Sequence, residues 1–122
     1  MYIKDLKNCK EITAGDYTIL KEIYNPVKEE IKVKHSLAHA TVKPGDITHK
    51  HRLRSTEIYY ILEGEGEMHI DEEVEKVSTG QVVYIPPRSV QRIKNTGGKD
   101  LIFLAIVDPA WKTEDEDILE NK

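Results

Sequence analysis

The fold is decided by the sequence PGDITHKHRLRSTEIYYILEGEG, residues 44–66 of the chain. Within it, residues 57–62, EIYYIL, are rich in β-branched and aromatic residues and predict a strand. His49 and His51 stand two residues apart, a spacing at which side chains on an extended strand point the same way. Two imidazoles and the carboxylate of Glu57, directed into one interior, are the minimum set for a transition-metal site with open positions. The stretch therefore predicts strands that carry a candidate metal site.

Size and composition exclude several classes of protein. The chain has 122 residues and a formal net charge of −4, which predicts one domain with a single core. Its charges are spread along the chain, without the basic cluster that is typical of nucleic-acid binding. No apolar run approaches the roughly 20 residues of a membrane helix, and the start MYIKDLKNCKE lacks a signal-peptide segment. The one cysteine, Cys9, suits a reducing compartment, so we expect a cytoplasmic protein that binds neither nucleic acid nor membranes.

Short strands separated by Gly and Pro turns are predicted along most of the chain. Residues 1–24 are expected to form opening strands around a turn, and residues 31–42 a long strand. Residues 101–107, LIFLAIV, are almost wholly apolar and predict a central strand. Further short strands are expected at residues 67–70, 74–77, 82–85 and 90–94. Many short strands with this punctuation indicate an all-β sandwich or barrel.

The end of the chain is expected to differ from the rest. Thr113 and Glu116 have the spacing of a capping box. A short C-terminal helix from Thr113 to about Asn121 is therefore predicted, and its acidic first turn suits the helix dipole.

Two spaced motifs in the chain resemble those of the cupin superfamily. The first motif matches at Gly45, His51, Glu57 and Gly64, and the second matches at Gly80, Pro86 and Asn95. The resemblance covers roughly residues 34–109, which leaves N-terminal strands in 1–33 and a C-terminal tail in 110–122. It implies that residues 1–122 are a single cupin domain, a double-stranded β-helix or jelly-roll barrel.

The positions of the family's metal ligands agree less well. In the spacing set by Gly45 and Glu57, the second histidine of the first motif falls on Leu53, and the histidine of the second motif falls on Gln91. An alternative alignment takes His49 and His51 as the histidine pair, and then five residues separate the pair from Glu57. Arg88 replaces the glycine that the family carries in its Pro-x-Gly elbow. The sequence leaves open whether His49 or Leu53 occupies the second position.

These residues define a candidate site. His51, Glu57 and His49 are expected to form a facial ligand set, with Gln91 supplying an amide oxygen to a divalent Fe, Mn, Zn or Ni ion. Gln91 is equally able to hydrogen-bond to Glu57 with no metal present. Further candidates near the cavity are Tyr59 and His39 for acid–base or supporting roles, and Arg92 as a donor to a substrate.

Three hypotheses for the function follow. The first is a metal-dependent cupin acting on a small polar organic molecule, with oxygenase and isomerase chemistry both open. The second is a metal-free cupin that binds a sugar or an acid, since two of the family's four ligand positions have lost their histidine. The third concerns assembly: cupins commonly dimerise through the outer face of a sheet and the N-terminal strand, which here implies residues 31–37 and 101–107 in a homodimer.

Overall fold

Two antiparallel sheets face each other in the structure, a computed structural model that describes residues 1–119. The first sheet has six strands in the spatial order β1 (Glu11–Thr13), β2 (Ile19–Tyr24), β3 (Ser36–Val42), β10 (Leu101–Asp108), β5 (Thr56–Glu63) and β8 (Val82–Ile85). The second sheet has five strands in the order β11 (Glu116–Ile118), β4 (His51–Leu53), β9 (Gln91–Asn95), β6 (Glu65–Ile70) and β7 (Glu73–Ser78). This arrangement confirms the predicted all-β jelly-roll barrel.

Strand β10 lies in the middle of the first sheet, as its apolar sequence predicts. It pairs with β3 on one side and with β5 on the other. Along β10 every second side chain, from Leu101 to Val107, is buried between the sheets, while the residues in between are half-buried on the outer face. The inward side chains pack against those of both sheets to form the core, which includes Ala40, Val42, Tyr59, Ile61, Met68, Ile85, Ile93, Leu101, Phe103 and Ala105.

A glycine corner between β5 and β6 lets the chain pass from the first sheet to the second. Gly64 has φ +91°, a conformation that side chains rarely adopt. A Cβ atom at Gly64 would lie 2.8 Å from the carbonyl oxygen of Asp100, and a Cβ atom at Gly66 would lie 2.6 Å from that of Lys94. Close approach of two backbones therefore requires glycine at both positions.

The strand predicted at residues 31–42 is shorter than expected. It begins only at Ser36, because β2 ends at Tyr24 and β10 ends at Asp108, so residues 31–35 have no neighbouring strand to pair with. The segment instead bonds locally and to the residues after β10: the N–H of Ile31 donates to the Glu29 carbonyl, and the N–H of Ala110 donates to the Lys34 carbonyl.

The predicted C-terminal helix is absent from the described residues and is replaced by a turn and a strand. Thr113–Asp115 form one 3₁₀ turn, and the expected cap is missing because Lys112 occupies the N-cap position without a side-chain bond. Strand β11 then pairs with β4, which satisfies backbone groups that a helix would have satisfied internally. Asn121, the expected helix end, lies outside the described residues. Within residues 1–119 no helix has the length and apolar character needed to cross a membrane.

The glycine corner can be tested by substitution. We expect Gly64→Ala to lower the free energy of unfolding by about 3 kcal/mol, because it combines a strained φ with a backbone clash. Gly98→Ala is the control, since a Cβ there meets nothing within 4 Å, and it should stay within about 0.5 kcal/mol of the wild type. Urea denaturation measures both variants, and equal stabilities would contradict the proposed constraint.

Candidate functional site

A cavity of about 220 Å³ opens between the two sheets. The turn between β1 and β2 covers one side of it, and β11 and Trp111 lie along the rim. Most of its wall is apolar and is contributed by Leu20, Ala38, Ala40, Leu53, Phe103, Ala105 and Val107. Asp16, Glu57 and Glu116 lie near His51 and form with it one charged region, and Glu22 and Lys28 form a separate ion pair in the wall.

His51 is the central residue of this charged region. It opens β4 and only 2 % of its surface is exposed. Its Nδ1 lies 2.9 Å from the backbone carbonyl oxygen of His49, so Nδ1 carries a proton and donates it. Its Nε2 lies 3.5 Å from Oδ2 of Asp16. Burial lowers the pKa of His51, but Asp16, Glu57 and the His49 carbonyl together outweigh burial and raise the pKa above its usual value.

Glu57 enters the cavity because of the alternation along β5. Glu57 and Tyr59 both line the cavity, as the sequence predicts. Gln91 joins them: its Nε2 donates to Oε1 of Glu57 at 2.9 Å, and its Oε1 accepts from the Tyr59 hydroxyl at 3.0 Å. Burial raises the pKa of Glu57 to about 7, although His51 and Gln91 oppose the change. Burial also raises the pKa of Tyr59 well above its usual value, so this hydroxyl keeps its proton.

Asp16 and Glu116 also belong to the charged region, and sequence reasoning missed both. Asp16 follows a glycine in a tight turn, where its Oδ1 accepts from the backbone N–H of Thr18. The backbone N–H of His49 donates to the Asp16 carbonyl at 2.7 Å, which ties this turn to the approach to β4. Glu116 reaches the cavity because β11 pairs opposite Leu53, and burial raises its pKa. Nothing local in the sequence marks either residue, because the covering turn and β11 are joined to the barrel only by long-range pairing.

The expectation that His49 and His51 share one interior is wrong. His51 begins β4, whereas His49 and Lys50 lie outside any strand, so the two-residue period does not extend to His49. The His49 ring stacks on Tyr17 with centroids 5.3 Å apart and is absent from the cavity wall. Leu53, two residues after His51 on the same strand, does line the cavity. The alignment that places Leu53 in the second position is therefore the one that the strand geometry supports.

His39 and Arg92 also lie away from the cavity. On β3 the residues that line the cavity are Ser36, Ala38 and Ala40, so His39 has the opposite parity and faces outward. On β9 the buried residues are Gln91, Ile93 and Asn95, and Arg92 again takes the outward parity. The expected roles of His39 as an acid–base group and of Arg92 as a substrate donor in the cavity have no support in this geometry.

The predicted metal ligands do not converge as a coordination set. Among residues 1–119 no group of three or more His, Cys, Asp or Glu side chains is arranged to hold a metal ion. His51 and Glu57 share the cavity, but His49 does not, and both ends of the Gln91 amide are already hydrogen-bonded. Strand pairing sets His51 directly opposite Gln91. Gln91 occupies the position of the missing family histidine, and its neutral amide links Glu57 to Tyr59. The donor set of this conformation does not fit a resident first-row metal.

Comparison with known proteins gives a consistent result. The family described as Cupin domain matches residues 38–107. An uncharacterized protein of Methanocaldococcus jannaschii is 43 % identical over 113 residues, 91 % of this chain and 89 % of that protein. A glucose-6-phosphate isomerase of Thermococcus gammatolerans is 32 % identical over 102 residues, 72 % of this chain but only 54 % of the isomerase. A solved polyketide cyclase of Streptomyces resistomycificus has a TM-score of 0.81 at 16 % identity, covering 100 % of this chain and 87 % of that one, which shows the shared fold alone.

The buried charges predict how stability depends on pH. The pKa of Glu57 is about 7 in the folded chain and about 4.5 when unfolded, so the folded state holds a proton that the unfolded state releases between these values. The raised pKa of His51 acts in the same direction, because its stabilising proton is lost as pH rises. The free energy of unfolding should therefore fall as pH rises from 4.5 through 7.

Glu57→Gln isolates the carboxylate's share of this dependence. We expect the variant to equal the wild type near pH 4 and to exceed it by up to about 3 kcal/mol at pH 8, measured by urea denaturation at each pH. Glu114→Gln makes the same charge change at an exposed position and should keep the wild-type profile. Parallel profiles for Glu57→Gln and the wild type would contradict the buried carboxylate.

Proposed function

The chain belongs to the cupin domain family, and on this basis we propose that it binds a small organic molecule inside its barrel and exchanges protons with it. One observation carries the proposal: a buried imidazole, His51, lies beside Asp16 and Glu57 at the charged end of an otherwise apolar cavity. Titratable groups with shifted pKa values in a cleft are typical of sites that bind or transform a ligand.

The arrangement suits acid–base chemistry. The Nδ1 proton of His51 is held by the His49 carbonyl, which leaves Nε2 as the atom that gives or takes a proton. Glu57, with its pKa near 7, is able to act as proton donor or acceptor at neutral pH. Tyr59 and Gln91 act as positioning residues, because Gln91 donates to Oε1 of Glu57 and the Tyr59 hydroxyl donates to Gln91.

The similarity to a glucose-6-phosphate isomerase supports acid–base chemistry in this cavity, but it does not support the same substrate. Aldose–ketose isomerisation moves one proton from a carbon to the neighbouring carbon and another from one oxygen to the other, and a His and a Glu side chain are suited to these transfers as acid and base. We do not propose a sugar phosphate as the ligand, because the carboxylates of Asp16, Glu57 and Glu116 in the cavity wall would repel a phosphate group. The present chain also spans only about half of that isomerase.

A metal-dependent cupin is the second candidate. The observation in its favour is that His51 and Glu57, two of the four expected ligand positions, line the same cavity. A divalent Fe, Mn, Zn or Ni ion would need His49 to leave Tyr17, or Gln91 to leave Glu57 and Tyr59. It would serve as a Lewis acid or oxygen site when bound.

Binding in the cavity is tested by a fragment screen followed through ¹⁵N–¹H NMR of the wild-type chain. We expect the fragments that bind to shift the resonances of cavity residues such as Leu53, Tyr59 and Ala105. Ala38→Leu fills the cavity and should abolish these shifts, whereas His39→Leu places the same side chain on the outer face and should not. Fragments that bind both variants equally would contradict the proposal.

Metal analysis of the same preparation, purified without chelator, separates the two candidates. If the first candidate, acid–base chemistry without a metal, is correct, the wild type should contain no stoichiometric first-row metal. A stoichiometric metal that is lost in His51→Ala would overturn it in favour of the second candidate.

We also propose that the chain forms a homodimer in the cytoplasm, through an apolar patch on the outer face of the first sheet. Cross-strand pairing places Leu37, Ile106, Ile58 and Tyr84 in one row, and Leu104, Tyr60 and Val82 in the next. Tyr60, Val82 and Tyr84 are 41, 63 and 58 % exposed, so the apolar patch continues to the sheet edge. Exposed apolar side chains that lie next to one another on a sheet are typical of an interface between subunits.

Sedimentation tests the dimer. We expect the wild type to sediment as a dimer at micromolar concentration and Leu104→Asp as a monomer, because a charge at the centre of the apolar patch is buried without a partner. Val74→Asp changes an exposed apolar residue on the second sheet and should leave the dimer intact. A monomeric wild type would contradict the dimer.

A further inference from the structure

We propose that the ligand of the cavity is a small organic cation, a protonated amine on an apolar body. This inference rests on the proposed function, since it assigns a ligand class to the same cavity. Three features of the wall support it: its charge, two oxygens that accept no hydrogen bond within residues 1–119, and its aromatic rings.

The charge of the wall favours a cation. Its ionisable carboxyl side chains are Asp16, Glu22, Glu57 and Glu116, and its cationic side chains are Lys28 and His51. Lys28 Nζ lies 2.8 Å from Glu22 Oε1, so these two charges offset each other at the rim. Three carboxyl groups then face one imidazole. An anionic ligand would be repelled, whereas a cation would complete the balance.

Two side chains of the cavity wall have an oxygen that accepts no hydrogen bond within residues 1–119. Thr18 is 4 % exposed and lines the cavity; its backbone N–H is bonded to Asp16, but its hydroxyl makes no hydrogen bond within residues 1–119. Glu57 is 6 % exposed, and within the same residues only its Oε1 accepts a hydrogen bond, from Gln91. An oxygen in the wall of a cavity can accept a hydrogen bond from a ligand inside it. An ammonium group has three donors and no acceptor, which suits two such oxygens.

The remaining wall suits the apolar body of such a ligand. Tyr59, Phe103 and Trp111 contribute aromatic rings, whose faces attract cations. Trp111 already has Lys28 Nζ 5.3 Å from its ring centroid, so the indole at the rim interacts with a cation in this structure. At the packing density of protein interiors, 220 Å³ holds roughly ten non-hydrogen atoms. The expected ligand is thus an amine with an aliphatic or aromatic body of that size.

Three probes of nearly equal shape but different charge test the inference: benzylamine, benzyl alcohol and sodium benzoate. Each is titrated into the ¹⁵N-labelled wild-type chain at pH 7.5 in low salt, and its dissociation constant is read from the resonances of the cavity residues. We expect benzylamine to bind at least tenfold more tightly than benzyl alcohol, and benzoate not to bind measurably.

Variants assign the preference to the carboxyl groups. We expect Glu116→Gln to weaken benzylamine binding by about tenfold and to leave benzyl alcohol unchanged, because only the charge interaction is lost. Glu57→Gln should act in the same way and serves as the second variant if Glu116→Gln alters β11. Glu114→Gln, an exposed change two residues from Glu116, should leave all three dissociation constants at their wild-type values.

The possible results distinguish a failure of the cation assignment from a failure of the proposed small-molecule binding. Benzyl alcohol or benzoate binding in the cavity as tightly as benzylamine would overturn the cation assignment and leave small-molecule binding standing. The same follows if Glu116→Gln and Glu57→Gln both keep the wild-type preference. If no probe shifts the cavity residues and the fragment screen also finds no ligand, both the cation assignment and the proposed function fail.

Discussion

The burial of charge around His51 is the constraint on which the rest of the site depends. An imidazole that is almost fully enclosed is costly unless its nitrogens have partners. Here Nδ1 donates to the His49 carbonyl and Nε2 faces the carboxylate of Asp16. The same enclosure raises the pKa of Glu57 to about 7, and the pKa of the neighbouring His51 is raised as well. Buried ionisable groups in an apolar cavity lower the stability of the fold, and they are typical of sites that bind or transform a ligand.

The charged region is assembled from distant parts of the chain. Strand alternation delivers His51 and Glu57 from the two sheets, and this is a property of the barrel itself. Asp16 and Glu116 come from the covering turn and from β11, which close the barrel at one end. The chain ends therefore complete the site instead of only covering it, and the ligand preference inferred for the cavity depends on them.

The barrel could be predicted from the sequence because its signals are local. The alternation of residues 57–62, the apolar run of β10 and the glycines at the corners each specify a strand or turn by themselves. Strand alternation also places Glu57, Tyr59 and His51 in the cavity. His49 lies elsewhere because β4 begins only at His51, two residues later than the histidine spacing implies. The helix expected from Thr113 does not form, because residues 116–118 pair with β4 as the edge strand of the second sheet. Asp16 and Glu116 could not be found at all, since long-range strand pairing brings them to the cavity.

The surroundings of His51, a buried imidazole between the His49 carbonyl and the Asp16 carboxylate, can be tested through its protonation state. Long-range ¹H–¹⁵N correlation spectra of the ¹⁵N-labelled wild type, with His51 assigned by comparison with His51→Gln, report its midpoint and its tautomer between about pH 5 and 9. We predict a midpoint above the ordinary value of 6.5 and, in the neutral ring, a proton on Nδ1. A midpoint below 6.5, or a neutral ring with its proton on Nε2, would contradict it.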